Sequence, residues 1–180
     1  ISSLVFAHHN LEFSVRKFTV WKKQDKIIPQ NKYDIASYSS LITQSTVLYD
    51  VILIFDDFSS RGEHGLAIVD TICTERSIAI VDVGKKTNFT PKYVADTVVH
   101  ELGHVLGLRH NDYYPSCSNQ KNIKTSVMSP SFRPWEGNEL RSFEKCVLSS
   151  HIDDISEMNC LRAPLKLPRL LGKCGDGVMD

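Results

Sequence analysis

HELGHVLGLRH, residues 100–110, gathers three of the chain's seven histidines into eleven positions. Val94, Val98, Leu102 and Val105 recur through it at helical spacing, behind Thr90 and Pro91. Threonine is a good helix N-cap, and proline suits the first helical position because its missing N–H has no partner there. The segment therefore predicts a helix that stops at Gly107, where a left-handed residue carries no Cβ penalty. Residues four apart share a helix face, so His100 and His104 converge on one point. Once the chain turns at Gly107, His110 can supply a third imidazole. Three neutral imidazoles leave the fourth tetrahedral position of Zn²⁺ open to water, which marks a catalytic rather than a structural site. Glu101 lies about 100° around the helix from His100, able to reach that water without ligating the metal. Zinc lowers the pKa of such a water towards about 7 and polarises a carbonyl. Glu101 is thus the expected general base, returning the proton to the leaving amine.

The plain alternative is a set of ordinary histidines on an amphipathic helix. A full H-E-x-x-H-x-x-G-x-x-H match fixes five positions, and at average residue usage chance yields roughly one per 10⁵ chains of this size. The metal reading is preferred on that ground.

Outward from the motif, the chain reads as alternating strands and helices. Residues 11–21 (LEFSVRKFTVW) alternate apolar and polar with a slip at Arg16–Lys17, predicting a half-exposed strand with a bulge. Ile35, Tyr38, Leu41 and Ile42 behind Asp34 predict an amphipathic helix. VILIF, residues 51–55, reads as a central buried strand, with further strands at 65–69 and 78–83. After residue 110 the texture becomes polar loop, with a short helix expected at 150–158, where Ser150 and Asp153 stand at capping-box spacing.

The 180 residues carry 21 Lys+Arg against 21 Asp+Glu, with 42% hydrophobic and 23% charged residues. This is the composition of a globular domain. Zero formal net charge argues against a nucleic-acid partner held by bulk electrostatics. No apolar run reaches the roughly 20 residues of a membrane span.

HELGHVLGLRH followed 18 residues later by SVMSP, with Met128, resembles the metzincin metalloproteases, whose zinc motif precedes a methionine turn. The wider chain is similar to the adamalysin (reprolysin) branch, which includes the snake-venom metalloproteases and the ADAM proteases. FTVWKKQDKI, GLAIVDTICTERSIAIVDV and RSFEKCVLSS carry that likeness, and CGDGVMD resembles the opening of a disintegrin-like domain. The resemblance implies an α/β fold (α+β in some schemes): a twisted, mainly parallel sheet with one antiparallel edge strand, a zinc-binding helix, and an irregular C-terminal part with the Met-turn. It implies that His100, His104 and His110 hold one zinc ion, that Glu101 is catalytic, and that Met128 lies under the histidines as an apolar floor. The expected organisation is a catalytic domain over residues 1–161 lacking its front, a linker at 162–173, and a disintegrin-like start at 174–180.

Some positions depart from the family. Asn111 stands where this branch has Asp, with Asp112 one place later. Asp57 matches one ligand of a calcium site that many relatives carry, but Ala163 stands where they have Asn, so calcium is not expected. The five cysteines lack any CxxC metal spacing, and on spacing alone free thiols and disulfides both stand. The family resemblance pairs Cys73 with Cys160 and Cys117 with Cys146, lacks a third bridge because Ser126 replaces a cysteine, and assigns Cys174 to the next module. It also implies a secreted or extracellular protein. Asn88-Phe89-Thr90 fits an N-glycosylation sequon, a triplet often left unmodified.

The edge strand, with Gly65, Leu66, Ala67 and Ile68, suggests how a substrate binds: an extended peptide can add to its unpaired N–H and C=O groups. An ordinary edge strand that binds nothing is the alternative. The expected function is a zinc endopeptidase acting on proteins or peptides. The competing reading is a toxin or adhesion module that keeps the protease fold with weak activity, with adhesion partners engaged through the disintegrin-like part. The intact Glu101 speaks against it. A matrixin-like metzincin would share the chemistry with different disulfides.

Overall fold

Three short apolar runs build the sheet: β1 (Ile52–Asp56), β2 (Gly65–Ala67) and β3 (Ile78–Asp82). The order is β1-β3-β2, with β1 parallel to β3 and β2 antiparallel at the edge. In register, Ile52 faces Ile78 and Asp56 faces Asp82, while Leu66 faces Ile80. The computed structural model describes Phe6, Ile35, Tyr38 and residues 11–15, 17–21, 49–56, 64–84, 90–117, 126–130, 141–149, 151, 155, 157–158 and 160–162.

β3 is buried along its whole length, and the period-2 alternation of its side chains divides the core. Ala79 and Val81 pack with Val98, Val99, Leu102 and Val105 of α1 (Pro91–Val105). Ile78 and Ile80 join Ile35 and Tyr38, two residues in helical backbone, on the other face. The central, buried place expected for residues 51–55 thus falls to β3; among the described strands β1 stands at the edge, with Phe55 exposed. The result is the expected α/β arrangement.

α1 begins as its sequence predicts. The Thr90 side chain accepts from the Tyr93 N–H at 3.2 Å, and Pro91 opens the helix. Its end is a Schellman motif: Leu108 N–H donates to Gly103 O and Gly107 N–H to His104 O, both at 2.9 Å, with Gly107 at φ 98°. The chain leaving β2 completes the cap. Asp70 N–H donates to His104 O, and the N–H groups of Thr71 and Ile72 to Val105 O, so carbonyls that would be orphaned are satisfied.

That cap explains one correction. The strand expected at 65–69 ends at Ala67, because Ile68–Asp70 turn away from the sheet to reach the helix end. Thr71 Oγ1 donates to Ile68 O at 2.9 Å, and Asp70 adopts a left-handed φ of 61°. A second correction concerns the strand expected at 11–21. Its described residues, all but 16, form none, and Val15, Phe18 and Val20 are exposed. Leu11 and Phe13 alone among its described apolar side chains pack on the main core, where Phe13 lies 4.6 Å from the Phe6 ring. Alternation in sequence only makes a strand where one face finds a cover.

The described residues after 110 form only short elements, in keeping with the expected irregular C-terminal part. Two 3-10 turns, Asn111–Tyr113 and Pro115–Cys117, and a short helix, α2 (Lys145–Leu148), carry it. The Cys117–Cys146 disulfide joins the second turn to α2, and Cys73–Cys160 ties the capping loop to the C-terminal segment. Ile155 and Glu157 are helical, within the expected 150–158 helix, whose Ser150 and Asp153 lie outside the described residues. So do Asn88, Asp57, Ala163 and residues 163–180. Among the described residues no helix is long and apolar enough to cross a membrane.

Candidate active site

The three histidines of the motif meet at one point. His104 Nε2 lies 3.1 Å from His110 Nε2, which lies 3.3 Å from His100 Nε2. The opposite ring nitrogens settle what these short separations mean. His100 Nδ1 donates to Val127 O at 2.6 Å and His104 Nδ1 to Leu108 O at 2.8 Å. With its Nδ1 proton engaged, each of these two rings presents a bare Nε2 lone pair towards His110. His110 Nε2 can satisfy at most one of them by donating, whereas a cation among the three satisfies all. Ligands at 2.0–2.1 Å on a tetrahedral ion stand about 3.3 Å apart, so the separations fit Zn²⁺. The cluster qualifies as a metal site by donor type as well.

Electrostatics agree. Burial pulls the His100 imidazole down to about 3, helped by the charges of neighbouring rings, and His104 down to about 4. Burial lowers His110 as well. All three are held in the neutral form that a metal requires.

Glu101 is buried beside this cluster on α1. Burial alone pushes its carboxyl up to about 8. Its side chain lies against Gly65: a Cβ there would fall inside the Glu101 carboxyl group. β2 can approach α1 this closely because its first residue has no side chain. The same economy recurs beneath the helix, where a Cβ on Gly103 would sit 2.7 Å from Met128 Sδ and 3.1 Å from Phe143 Cε1. Met128 is fully buried, and Met128 O accepts from Asn111 N–H at 2.9 Å, which ties the residue after the third histidine to the methionine turn.

A cleft of about 400 Å³ opens over the histidines and Glu101, with the β2 residues Gly65, Leu66 and Ala67 along one wall. Ile68 is outside the strand. The lining also includes Asp112 and Arg109, whose guanidinium lies 4.6 Å above the Tyr113 ring.

The sequence model of the reprolysin (M12B) zinc metalloproteases matches residues 3–162. The chain belongs to this family. It is 26% identical over 161 residues to a zinc metalloproteinase-disintegrin-like protein of Bungarus fasciatus, covering 84% of this chain and 24% of that protein. It is 27% identical over 148 residues to the zinc metalloprotease mde10 of Schizosaccharomyces pombe, covering 72% of this chain and 29% of that one. The chain thus spans about a quarter of the length of these relatives. Membership of the reprolysin family and the three converging imidazoles together make zinc the cofactor.

Several reprolysin site residues were invisible in sequence. The carbonyls of Val127 and Leu108, which orient the two helix-borne ligands, have no side-chain signature. Gly65 is readable as part of the substrate edge strand, but its contact with Glu101 is not. Arg109 and Tyr113 had a signal in hindsight, a cation and an aromatic flanking the third histidine, which ordinary surface residues would also give.

Proposed function

We propose that the chain is a zinc-dependent endopeptidase in which His100, His104 and His110 hold the metal and Glu101 carries the proton. The observation that supports this most directly is the placing of Glu101 and three converging imidazole nitrogens in one cleft beside β2, whose outer edge carries no strand among the described residues. When bound, Zn²⁺ supplies the Lewis acid that polarises a peptide carbonyl and acidifies water. The chain's own residues do the rest. A polypeptide lies along β2, pairing with the main-chain groups that β3 does not use. Glu101 takes a proton at its carboxylate from the attacking water as the water oxygen bonds to the carbonyl carbon, and gives it to the amide nitrogen as the C–N bond breaks. Gly65 sets where that carboxylate stands, and the Val127 and Leu108 carbonyls fix the ligand rings.

The two disulfides support an extracellular setting, since such bonds persist in oxidising compartments. A catalytic domain over 1–161, a linker at 162–173 and a disintegrin-like start at 174–180 remain part of this proposal, in line with the name of the Bungarus relative. Glu101→Gln tests the mechanism. Its kcat/KM on a quenched fluorescent peptide should fall by at least about 10²-fold with zinc content unchanged. Cleavage retained in that variant would remove Glu101 from the reaction.

A further inference from the structure

A buried ion pair stands behind the metal site, with no part in the chemistry above. Arg141 and Asp96 are each almost wholly buried, with Arg141 Nε 3.6 Å from Asp96 Oδ2. Arg141 Nη1 also donates to Ser126 O at 3.3 Å. Asp96 is on α1, one turn before His100. Ser126 opens the methionine turn, forms a parallel bridge to Ser142, and accepts the Met128 N–H on its hydroxyl at 3.1 Å. Between them Val127 donates its N–H to Ser142 O at 3.2 Å and turns its carbonyl onto His100 Nδ1. The path from Asp96 through Arg141, Ser126 and Val127 therefore returns to α1 at His100, closing a ring around one helical turn.

We propose that Asp96 and Arg141 are positioning residues that fix the Val127 carbonyl against His100, and through it set how tightly the three histidines bind zinc. A buried ion pair seldom repays its desolvation, and apolar replacements of the same volume are often neutral for stability. Its use here is geometric. The planar guanidinium reaches the helix carboxylate and the methionine-turn carbonyl together, which a point charge does less well. A carbonyl behind a ligating imidazole fixes its tautomer and ring angle, and loss of such a partner typically weakens metal binding 10–100-fold. Lys92, 3.9 Å from the same Asp96 oxygen, is the partly exposed end of the network and meets the ring at that carboxylate, away from Arg141 and the methionine turn.

The inference rests on the zinc reading of the three histidines. The test is a competition titration with a fluorescent zinc chelator, run beside thermal melts of the metal-free protein and the visible spectrum of the cobalt-substituted one. The double variant Asp96→Leu/Arg141→Met should melt, metal-free, close to wild type, yet bind zinc about 10-fold or more weakly with a shifted cobalt spectrum. Lys92→Met should change neither affinity nor spectrum. A folded double variant with wild-type zinc affinity overturns the proposal, as does one that loses stability alone. If the double variant does not fold, Arg141→Lys decides: weakened zinc with an unchanged metal-free melt supports positioning, and unchanged affinity overturns it. A wild-type chain that takes up no zinc would instead overturn the site reading itself.

Discussion

Gly65→Ala should cripple catalysis while leaving the fold and the zinc in place. The new Cβ would lie 2.7 Å from both Cδ and Cγ of Glu101, and closer still to its Oε1. Carbon contacts settle at 3.5–4.0 Å, so the carboxyl must retreat by roughly 1 Å. The backbone is no obstacle, because Gly65 has a φ that any L-residue adopts. Alanine there trims about 0.4–1 kcal/mol of unfolded-state entropy. Crowding costs about 1–3 kcal/mol where neighbours cannot move, and here Glu101 can swing into the open cleft. The net loss of stability should therefore stay under about 2 kcal/mol. Activity is far more sensitive. A misplacement near 1 Å costs on the order of 10²-fold, or about 2.7 kcal/mol of barrier. The loss should fall on kcat, since a methyl group leaves the N–H and C=O groups of β2 free to pair with substrate. The assay is kcat and KM on a quenched peptide, with zinc content and a melt recorded on the same sample. A double-mutant cycle sharpens it: on the Glu101→Gln background the alanine should add little, because the group it displaces is already inert. Wild-type kcat in folded, zinc-loaded Gly65→Ala, or a full additional loss on the Gln background, would refute the reasoning.

Further outcomes follow from the same contacts. Gly103→Ala drives a methyl against Met128 Sδ and Phe143, and should lower stability by about 1–3 kcal/mol in a denaturant titration; an unchanged midpoint would mean the methionine turn yields freely. Gly107→Ala forces φ 98° on an L-residue and should cost about 1–2 kcal/mol, read in the same way. The metal-free protein should be most stable at an intermediate pH, between an acid side limited by the histidines and an alkaline side limited by Glu101. His100 and His104, lowered from 6.5 to about 3 and about 4, give stability that is complete above pH 6.5 and lost as the pH falls towards those values. Glu101, raised from 4.5 to about 8, gives stability that is complete below pH 4.5 and lost as the pH rises through 8. Melts of chelator-treated protein across pH should show this, and Glu101→Gln should move the maximum to higher pH; a maximum that stays put removes Glu101 from the balance.

The parts of this molecule legible in sequence are those whose cause is local. The Thr90 cap, Pro91, the apolar spacing of α1 and the Gly107 stop all lie within 18 residues, and they place His100, His104 and His110. The strand at 78–83 was legible because its first four residues are apolar, as a strand covered on both faces requires, and only Asp82 among the buried β3 residues is charged. What sequence could not show was set at long range. Residues 11–21 carry a strand's alternation without a strand, since the exposed Val15, Phe18 and Val20 find no cover among the described residues. β2 stops early because its chain is drawn off to cap α1 some 35 residues later in sequence, a demand made by main-chain carbonyls. The Val127 carbonyl reaches His100 from 27 residues away, and no residue type advertises a carbonyl's direction.

The two helix-borne ligands are oriented by different parts of the chain. Leu108 O, which holds His104, comes from the helix cap itself, so that ring is set as soon as α1 and its Schellman turn form. Val127 O, which holds His100, depends on the methionine turn being docked under Gly103 and bridged to Ser142. The third histidine belongs to both, since Asn111 N–H is held by Met128 O. A helix alone would thus prepare one ligand of three, and the site reaches its full geometry only when the part after residue 110 has packed. Metal binding then draws on folding free energy from both halves, because the ion is bound well only by the assembled arrangement. The glycines at 65 and 103 serve the same end from opposite sides. One lets the sheet edge touch Glu101, and the other lets the methionine turn touch the helix. The zinc motif names the ligands, but the absence of side chains at these two contacts is what lets sheet and C-terminal part close on the helix that bears them.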